Sequence, residues 1–314
     1  MSSSVCYSVI IPVFNEEPVI QETHARLKEV MDSTGESYEL VFVNDGSSDK
    51  TIQILMQLSS RDKNIKIINF SRNFGHQIAI TAGMEHASGS AVVVIDADLQ
   101  DPPKVILDMI AKWKQGYEVV YGERSKREGE TAFKKLTAVF FYRFLQRMTS
   151  VSIPMDVGDF RLIDRKVCNA MKSIHEKNRF VRGLVSWVGF NQTSVSYVRE
   201  ERWAGTTKYP LKKMVRFALD AITSFSHKPL KCATMLGAVV SLCGLFYLLY
   251  VLCQRYFIGT PVEGWMVLIV LTFVLNGITL CMLGIVGEYI GRIYDEAKDR
   301  PLYIVKDFVN FEDP

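Results

Sequence analysis

The chain has 314 residues, of which 48% are hydrophobic and 23% are charged, and its formal net charge is +3. This length exceeds one typical domain, and the hydrophobic share is high for a wholly soluble protein. The small net charge gives no reason to expect nucleic acid as a partner. The six cysteines show no paired short spacing, so we expect neither a disulfide nor a zinc site.

The first half of the chain alternates two kinds of segment. Short apolar, β-branched runs predict strands, and the segments between them have the apolar spacing of amphipathic helices. The predicted strands are residues 7–13, 39–43, 65–70, 91–95 and 118–121, and the predicted helices are residues 19–31, 51–58, 77–86 and 105–114. This alternation predicts an α/β fold with a mainly parallel sheet that is covered on both faces. Such sheets bind ligands at the carboxyl ends of their strands.

Polar residues follow the first two predicted strands. Pro12, Phe14 and Glu16 lie at the end of the first strand, where a ring and an acceptor suit one wall of a pocket for a nucleotide base. Asp45 lies in the run 44–49 after the second strand, which predicts a turn and a helix N-cap. The alternative for each motif is an ordinary turn and helix cap between a strand and the following helix. That alternative does not explain why both strands end in hydrogen-bond acceptors at the same edge of the sheet.

The fourth predicted strand ends in two carboxylates. Strand alternation places Asp96, Asp98 and Gln100 on the same side of the chain, and Pro102 and Pro103 begin the next helix. Carboxylate oxygens suit Mg²⁺ or Mn²⁺ carrying a diphosphate. Two acids two residues apart also occur by chance, but their place at the end of an apolar strand favours a metal site.

Cations and one further acid follow. Arg124 comes after the fifth strand, and its guanidinium suits phosphate oxygens, although a solvated basic loop is the alternative. Asp159 lies in the run 158–162, where it follows a glycine and precedes a predicted short strand. Arg202 and Lys208 flank a Gly-Thr-Thr loop, which is suited to closing over a diphosphate and excluding water.

Two segments have amphipathic composition. Residues 131–148 mix aromatic and basic side chains, so this helix either lies on a membrane surface or packs its rings on the sheet. Residues 211–225 carry three cations directly before the apolar C-terminal part, and there we expect a helix at the membrane interface.

The C-terminal part contains two membrane-length stretches, residues 232–254 and 264–287, neither of which has a charged residue. Each has the roughly 20 residues that span a bilayer, which predicts two transmembrane helices. Basic residues precede the first stretch and follow the second, whereas the loop between them offers only Arg255, so both termini should be cytoplasmic. The beginning of the chain lacks a basic signal-peptide region, so we expect the first 230 residues to stay inside the cell. For residues 295–314 we expect either an edge strand paired with a neighbouring subunit or a disordered end.

These motifs together resemble the polyisoprenyl-phosphate glycosyltransferases of glycosyltransferase family 2. The residues that carry the resemblance are 12–17, 44–49, 96–103, 158–162, 202–209 and 287–292, and it covers nearly the whole chain. Within that family the chain is similar to dolichyl-phosphate mannose synthases and, more closely, to bacterial undecaprenyl-phosphate (bactoprenol) glucosyltransferases. Processive relatives carry Gln-x-x-Arg-Trp, and here Arg199 stands at the glutamine position, which disfavours a polymer synthase.

The resemblance implies a GT-A fold, an inverting transfer and a divalent metal, Mg²⁺ or Mn²⁺. It implies nucleotide-sugar contacts from Pro12, Phe14, Glu16, Asp45, Asp96 and Asp98, a metal site at Asp96, Asp98 and Gln100, catalytic roles for Asp159, Asp98, Arg202 and Lys208, and an acceptor-phosphate site at Arg124, Arg127, Lys134 and Lys135. Asp159 matches the position usually assigned to the base. A phosphomonoester acceptor is already mostly a dianion at neutral pH, because its second pKa is about 6, so it needs little proton abstraction.

The predicted reaction is transfer of one hexose, with glucose as the first choice, from a UDP-sugar to undecaprenyl phosphate at the bacterial inner membrane. UDP-N-acetylglucosamine, GDP-mannose and an aminopentose donor are the alternatives, and a non-catalytic scaffold or flippase subunit is a different class. A small membrane flippase as partner and a homo-oligomer, such as a tetramer, are also implied. The predicted units are residues 1–164 (catalytic), 165–231 (acceptor side), 232–288 (two spans) and 289–314 (cytoplasmic tail).

Overall fold

The structure, a computed structural model, describes residues 5–125, 157–200, 228–258 and 264–311. An eight-stranded mixed sheet forms its centre. The strands are β1 Tyr7–Val13, β2 Tyr38–Asn44, β3 Ile65–Phe70, β4 Ala91–Val94, β5 Val119–Arg124, β6 Val157–Asp164, β7 Gln192–Tyr197 and β8 Val305–Val309. The helices are α1 Ile20–Asp32, α2 Thr51–Arg61, α3 His76–His86, α4 Val105–Lys114, α5 Arg165–Lys172, α6 Val181–Trp187, α7 Lys228–Ile258 and α8 Trp265–Ala297.

Two hydrophobic cores cover the two faces of the sheet. Alternate residues of β1 divide between them, with Tyr7, Val9 and Ile11 in one core and Ile10 in the other. The first core includes side chains of α1, α2 and α4, and the second includes side chains of α3, α5 and α6. Because both faces are buried, β1 and β2 are apolar along nearly their whole length rather than alternating. The predicted layered α/β fold is confirmed.

Strand direction decides where the site lies. The order across the sheet is β7-β5-β6-β4-β1-β2-β3-β8. Strand β1 pairs in parallel with β2 and β4, and β2 pairs in parallel with β3, so the carboxyl ends of these four strands meet at one edge. Strand β6 is antiparallel to β4 and β5, and β7 is parallel to β5. The amino end of β6 therefore lies beside the carboxyl ends of β4 and β5.

The predicted strands and helices of the first half are all present, with ends shifted by a few residues. The fifth strand runs further than predicted, to Arg124. The short strand predicted after Asp159 is β6, which begins at Val157 and therefore includes Asp159. The predicted end of the catalytic unit at residue 164 needs correction, since β7 and β8 both belong to the same sheet. The sequence does not reveal this because neither strand has the apolar pattern of a core strand.

In the described part of the C-terminal tail, β8 pairs antiparallel with β3 of the same chain. The Asn310 side-chain amide donates to the carbonyls of Ser59 (3.0 Å) and Ile65 (2.8 Å), and the Tyr303 ring stacks on Phe70 with centroids 5.1 Å apart. These contacts cover the edge of β3. Both expectations were wrong for the described part of the tail, which is neither disordered nor paired with a neighbouring subunit. Side chains on both sides of β8 anchor it to its own sheet.

Helices α7 and α8 lie outside the sheet and expose many large apolar side chains, among them Phe246 and Leu280. Among the described residues one stretch, Val274–Ala297, is long and apolar enough to cross a membrane, and Leu230–Gly244 is apolar but shorter. Length and apolar composition are the only grounds for identifying Val274–Ala297 as a candidate span, and this finding supports one of the two predicted transmembrane helices. The predicted amphipathic helices at 131–148 and 211–225 lie outside the described residues.

Candidate active site

A run of four residues after β3 links the polar groups at the carboxyl edge of the sheet. The backbone N–H groups of Phe74 and Gly75 donate to Asp45. His76 lies beside both Asp96 and Asp159, and Gln77 donates to Asp159. Three carboxylates that are distant in sequence are thus held by residues 74–77, where β3 passes into α3.

Asp45 is a buried carboxylate that accepts at both oxygens. The distance from Phe74 N to its Oδ1 is 2.6 Å, and that from Gly75 N to its Oδ2 is 3.0 Å. Burial raises the pKa of Asp45, and the two backbone N–H groups oppose that rise. Gly46 allows this approach, because a Cβ there would lie only 2.5 Å from the backbone carbonyl carbon of Arg72. Asp45 therefore fixes the loop over residues 71–75.

The loops after β1 and β2 are joined by side-chain hydrogen bonds. Asn15 N donates to Ser47 Oγ (3.0 Å), Ser48 N donates to Asn15 Oδ1 (2.8 Å), and Glu16 N donates to Thr51 Oγ1 (2.9 Å). Asn15 has a φ of +54°, a left-handed conformation that asparagine tolerates better than most residues. The two loops consequently form one polar rim beside Asp45.

Asp96 and Asp98 follow β4. The side chain of Asp98 accepts from the backbone N–H of Gln100 (3.2 Å), and Leu99 between them adopts a φ of +58° although it is not glycine. Such strained backbone concentrates at functional sites. Asp96 Oδ1 is enclosed by protein and accepts no hydrogen bond in the described part of the chain, and His76 Nε2 lies 3.5 Å from it. A carboxylate in this state is suited to interaction with a cation.

Asp159, near the start of β6, is held by three side chains. Arg182 on α6 donates from Nε to Oδ1 (2.8 Å) and from Nη2 to Oδ2 (3.2 Å), and Gln77 Nε2 donates to Oδ2 (3.1 Å). His76 Nε2 lies 3.4 Å from the same Oδ2. The bidentate arginine contact is the strong, geometrically specific form of this ion pair. Gln77 also accepts from the N–H of Val181 (3.0 Å), which ties the start of α6 to the cluster.

The electrostatics of this cluster follow from its mixture of buried charges. Burial alone would raise the pKa of Asp159, but the charge of Arg182 and the hydrogen bonds from His76 and Arg182 hold it well below its usual range. Burial disfavours a charged His76, yet the hydrogen bond to Asp159 and the charge of Asp96 raise its pKa to about 9. Asp159 is therefore a stable anion.

Asp96 behaves differently. Removal of solvent raises the pKa of Asp96 to about 6, an effect that His76 opposes and that nearby carboxylates reinforce. A strongly shifted carboxylate in a group of charged side chains is typical of functional sites. A divalent cation would relieve the repulsion between Asp96 and its acidic neighbours. In the part of the chain that the structure describes, no three His, Cys, Asp or Glu side chains are grouped to hold a metal by themselves.

A second charged group lies at the ends of β5 and β7. The buried carboxylate of Asp101 accepts from Tyr197 Oη (2.5 Å), and Arg124 Nη2 and Arg199 Nε lie 3.9 and 3.5 Å from it. Arg124, half-buried, is thus part of the site edge rather than a freely solvated cation. A Cβ on Gly158 would lie 2.8 Å from Nη2 of Arg124, so a side chain there would require the guanidinium to shift.

The remaining predicted residues divide into two sets. Pro12 is buried within β1 opposite Val43, so it supports the strand, whereas Phe14 is exposed beyond the strand end. The Gln100 carbonyl accepts from the N–H of Glu200 (2.9 Å). Five predicted site residues lie outside the described part of the chain: Arg127, Lys134, Lys135, Arg202 and Lys208.

Several residues of the site were not predicted. They are His76, Gln77, Asp101, Arg182, Tyr197 and Arg199. One signal was available for the first two: β3 is a parallel strand, and the polar run after it should have been treated like those after β1, β2 and β4. No local pattern marks Arg182, because it reaches Asp159 from a short helix formed later in the chain.

Comparisons with known proteins identify the family of this chain. A sequence model described as "Glycosyl transferase family 2" matches residues 8–171. The chain is 63% identical to the uncharacterized glycosyltransferase YkcC of Bacillus subtilis (strain 168), over 98% of this chain and 95% of that protein. It is 41% identical to the bactoprenol glucosyl transferase of Shigella phage SfII, over 95% of this chain and 97% of that protein.

A solved structure of glucosyl-3-phosphoglycerate synthase from Mycobacterium tuberculosis, in complex with Mn²⁺, UDP and phosphoglyceric acid, is more distantly similar. Its TM-score is 0.47 at 19% identity, over 70% of this chain and 76% of that one. At this degree of similarity, the ligands of that structure give no information about the ligands of this chain. The match of the family model to half of the chain and the near full-length relatives decide the matter: the chain belongs to glycosyl transferase family 2 and is a glycosyltransferase.

Proposed function

We propose that the protein transfers one hexose, with glucose as the first candidate, from a UDP-sugar to undecaprenyl phosphate. The observation that carries this proposal is the joining of Asp45, Asp96 and Asp159 by residues 74–77 at one sheet edge, in a chain 41% identical to a bactoprenol glucosyl transferase. A nucleotide pocket, a cation site and a fixed anion then lie side by side. UDP-N-acetylglucosamine, GDP-mannose and aminopentose donors stay open, since sugar hydroxyls are read by loop geometry.

The rim formed by the loops after β1 and β2 would hold the nucleotide. Phe14 is 38% exposed and directly precedes Asn15 of this rim, so it offers a ring face to a base. Asp45 keeps the loop over residues 71–75 in place through its two backbone hydrogen bonds and so shapes the same pocket. Burying a base on an aromatic ring supplies affinity, and the surrounding acceptors supply selection between bases.

Asp96 and Asp98 would hold a divalent cation, Mg²⁺ or Mn²⁺. The carboxylate oxygens of Asp96 and Asp98 form an oxygen donor set that fits such an ion, although His76 Nε2 lies 3.5 Å from Asp96 Oδ1 and shares that oxygen. Mg²⁺ sites commonly use one or two carboxylates, with the remaining positions filled by substrate phosphates and water. When bound, the ion supplies positive charge that stabilises the diphosphate as it leaves.

The acceptor phosphate needs orientation more than deprotonation. A phosphate oxygen attacks the anomeric carbon while the bond from that carbon to the UDP oxygen breaks, so one displacement inverts the configuration. The acceptor is already mostly a dianion, because the second pKa of a phosphomonoester is about 6. Asp159 is fully engaged by Arg182 and Gln77, so we assign it the task of fixing these side chains around the reacting groups rather than accepting a proton.

The apolar helices α7 and α8 would anchor the enzyme in the bacterial inner membrane as a pair of spans, with the sheet on the cytoplasmic side. The apolar stretch Val274–Ala297 and the exposed apolar side chains of both helices support this arrangement. Each helix is long enough for a bilayer, with 31 and 33 residues. The partner flippase and the homo-oligomer stay predictions from the family resemblance.

The proposal is tested with a donor panel. Purified protein with undecaprenyl phosphate and Mg²⁺ is offered UDP-glucose, UDP-N-acetylglucosamine, UDP-galactose and GDP-mannose, and the lipid products are identified by mass. We expect a single glycosyl-phospholipid, formed from UDP-glucose. A product from another donor would correct the sugar, and no lipid product from any of the four donors, with UDP binding intact, would contradict glucose as the sugar transferred.

A further inference from the structure

Asp101 is buried at the edge of the proposed site, although none of the chemistry above uses it. It is 1% exposed and directly follows the loop that carries Asp96 and Asp98. A buried carboxylate is strongly destabilising unless charges or hydrogen bonds compensate it. Its compensating groups come from the ends of two neighbouring strands.

The strand register brings these groups together. Strands β5 and β7 pair in parallel with Arg124 opposite Tyr197 at their carboxyl ends. Tyr197 Oη donates to Asp101 Oδ1 (2.5 Å), Arg199 Nε lies 3.5 Å from that oxygen, and Arg124 Nη2 lies 3.9 Å from it. One carboxylate is thus shared by two guanidinium groups and one hydroxyl.

The group keeps an excess of positive charge. Two arginines against one aspartate leave about one unit of positive charge. Arg199 Nε is also buried, and it has no hydrogen-bond partner among the residues that the structure describes. Buried polar atoms are nearly always satisfied in a native protein, so such exceptions call for a partner that binds there.

The position of the group matches that of the reacting phosphates. The N–H of Glu200 donates to the carbonyl of Gln100 (2.9 Å), so Arg199 is held against the loop that bears Asp98. Arg199 is 31% exposed at its side chain, and Arg124 is 20% exposed, so both guanidinium groups remain reachable from solvent. A guanidinium pair in this place suits phosphate oxygens.

We propose that Asp101 is a positioning residue that holds Arg124 and Arg199 as a two-guanidinium site for a phosphoryl group of the reaction. That group is either the diphosphate of the donor or the phosphate of the lipid acceptor. The inference rests on the proposed function for the identity of these phosphates, and it adds Arg199, Asp101 and Tyr197 to the residues that act in it. Tyr197 orients the carboxylate by its hydrogen bond and carries no charge.

The test compares Arg199→Gln and Asp101→Asn with two matched controls, Arg61→Gln and Asp108→Asn. The controls make the same charge changes at exposed positions, the last turn of α2 and the first turn of α4. Calorimetry measures binding of UDP with Mg²⁺ and, separately, binding of farnesyl phosphate, a soluble short-chain prenyl phosphate. Turnover assays then give kcat and the KM for each substrate.

We expect Arg199→Gln to weaken binding of one probe by about 10-fold or more, since the change removes hydrogen bonds from a charged donor to the phosphate. Loss confined to UDP assigns the site to the donor diphosphate, and loss confined to farnesyl phosphate assigns it to the acceptor. Asp101→Asn should weaken the same probe, with the KM of the corresponding substrate rising more than kcat falls. Arg199→Lys should restore part of the affinity.

Unchanged affinity for both probes, within about twofold, in folded Arg199→Gln protein would overturn the inference. So would a lowered melting temperature in Asp101→Asn with both KM values unchanged, because that pattern belongs to a purely structural ion pair. If the wild type binds the probes but transfers no sugar, the proposed function fails while the binding comparison still decides the role of Arg199.

Discussion

The ion pair between Asp159 and Arg182 offers a quantitative test of how the site is held together. The Asp159 side chain is 8% exposed and that of Arg182 is 27% exposed, and the two are joined by hydrogen bonds of 2.8 and 3.2 Å. Asp159→Asn removes the negative charge with almost no change in shape. It leaves Arg182 and His76 as cations without this counter-charge.

The expected loss follows from that burial. Breaking a buried pair by removing one partner destabilises by about 3–5 kcal/mol, and the partial exposure of Arg182 lowers our expectation to about 2–3 kcal/mol. For a domain of this size that is a fall of about 4–12 °C in melting temperature. If the transition state for transfer is destabilised by the same margin of about 2–3 kcal/mol relative to the ground state, turnover falls by about 30- to 150-fold.

A double-mutant cycle isolates the pair. Melting temperature in detergent and turnover are measured for wild type, Asp159→Asn, Arg182→Gln and the double variant. We expect the double variant to lose at least about 1 kcal/mol less than the sum of the single variants, because each single change leaves an unpaired charge. A cycle on the exposed pair Glu36 and Lys114, whose charged atoms lie 3.6 Å apart, should show coupling below about 0.5 kcal/mol. Additive losses at Asp159 and Arg182 would refute the reasoning.

The pH dependence separates a fixed anion from a base. The pKa of Asp159 is held well below its usual range. A depressed pKa contributes stability above the unfolded value of about 3.9 and loses it as pH falls through the folded value. Between pH 6 and 9 the pair should therefore be constant, and raising the pH should not restore the rate of Asp159→Asn. Recovery of its rate at alkaline pH would contradict this assignment.

Three further changes have specific outcomes. Asp98→Ala should abolish transfer even with saturating UDP-sugar, and near-normal turnover would rule out Asp98 as a cation ligand. Gly46→Ala should weaken UDP binding more than Gly35→Ala does. Both glycines have a φ near +70°, but only a Cβ at Gly46 would meet backbone atoms, at a distance of 2.5 Å. Equal affinities of the two variants for UDP, measured by calorimetry, would refute this. Ending the chain after Arg300 should lower the melting temperature by uncovering β3, and an unchanged melting curve would show that β8 contributes nothing to stability.

The central fold was predictable because strand and helix periodicities differ clearly in the first half of the chain. The apolar runs of β1 to β4 are buried on both faces, and the alternation with helices required a mainly parallel sheet. From that sheet it followed that Asp45 and Asp96 would lie at one edge, as the structure shows. The sequence pattern was therefore sufficient to predict those features that depend on residues close together in the chain.

The rest depended on contacts between distant segments. Strand β6 runs antiparallel, and its register pairs Val94 with Arg161, which directs Asp159 toward Asp96. Nothing in the residues around Asp159 specifies that direction. Arg182 reaches the same carboxylate only because α6 packs in the second core, and Arg199 reaches Asp101 only because β7 joins β5. Such partners are set by topology rather than by a motif.

The most direct test of the central claim is to follow the nucleotide released when the protein glycosylates undecaprenyl phosphate from UDP-glucose. The account predicts one UDP for each glycosyl-phospholipid formed, because the anomeric carbon is the atom attacked. Release of UMP with a lipid diphosphate would mean that phosphorus is attacked instead. That result, or release of nucleotide that does not depend on the lipid, would contradict the account.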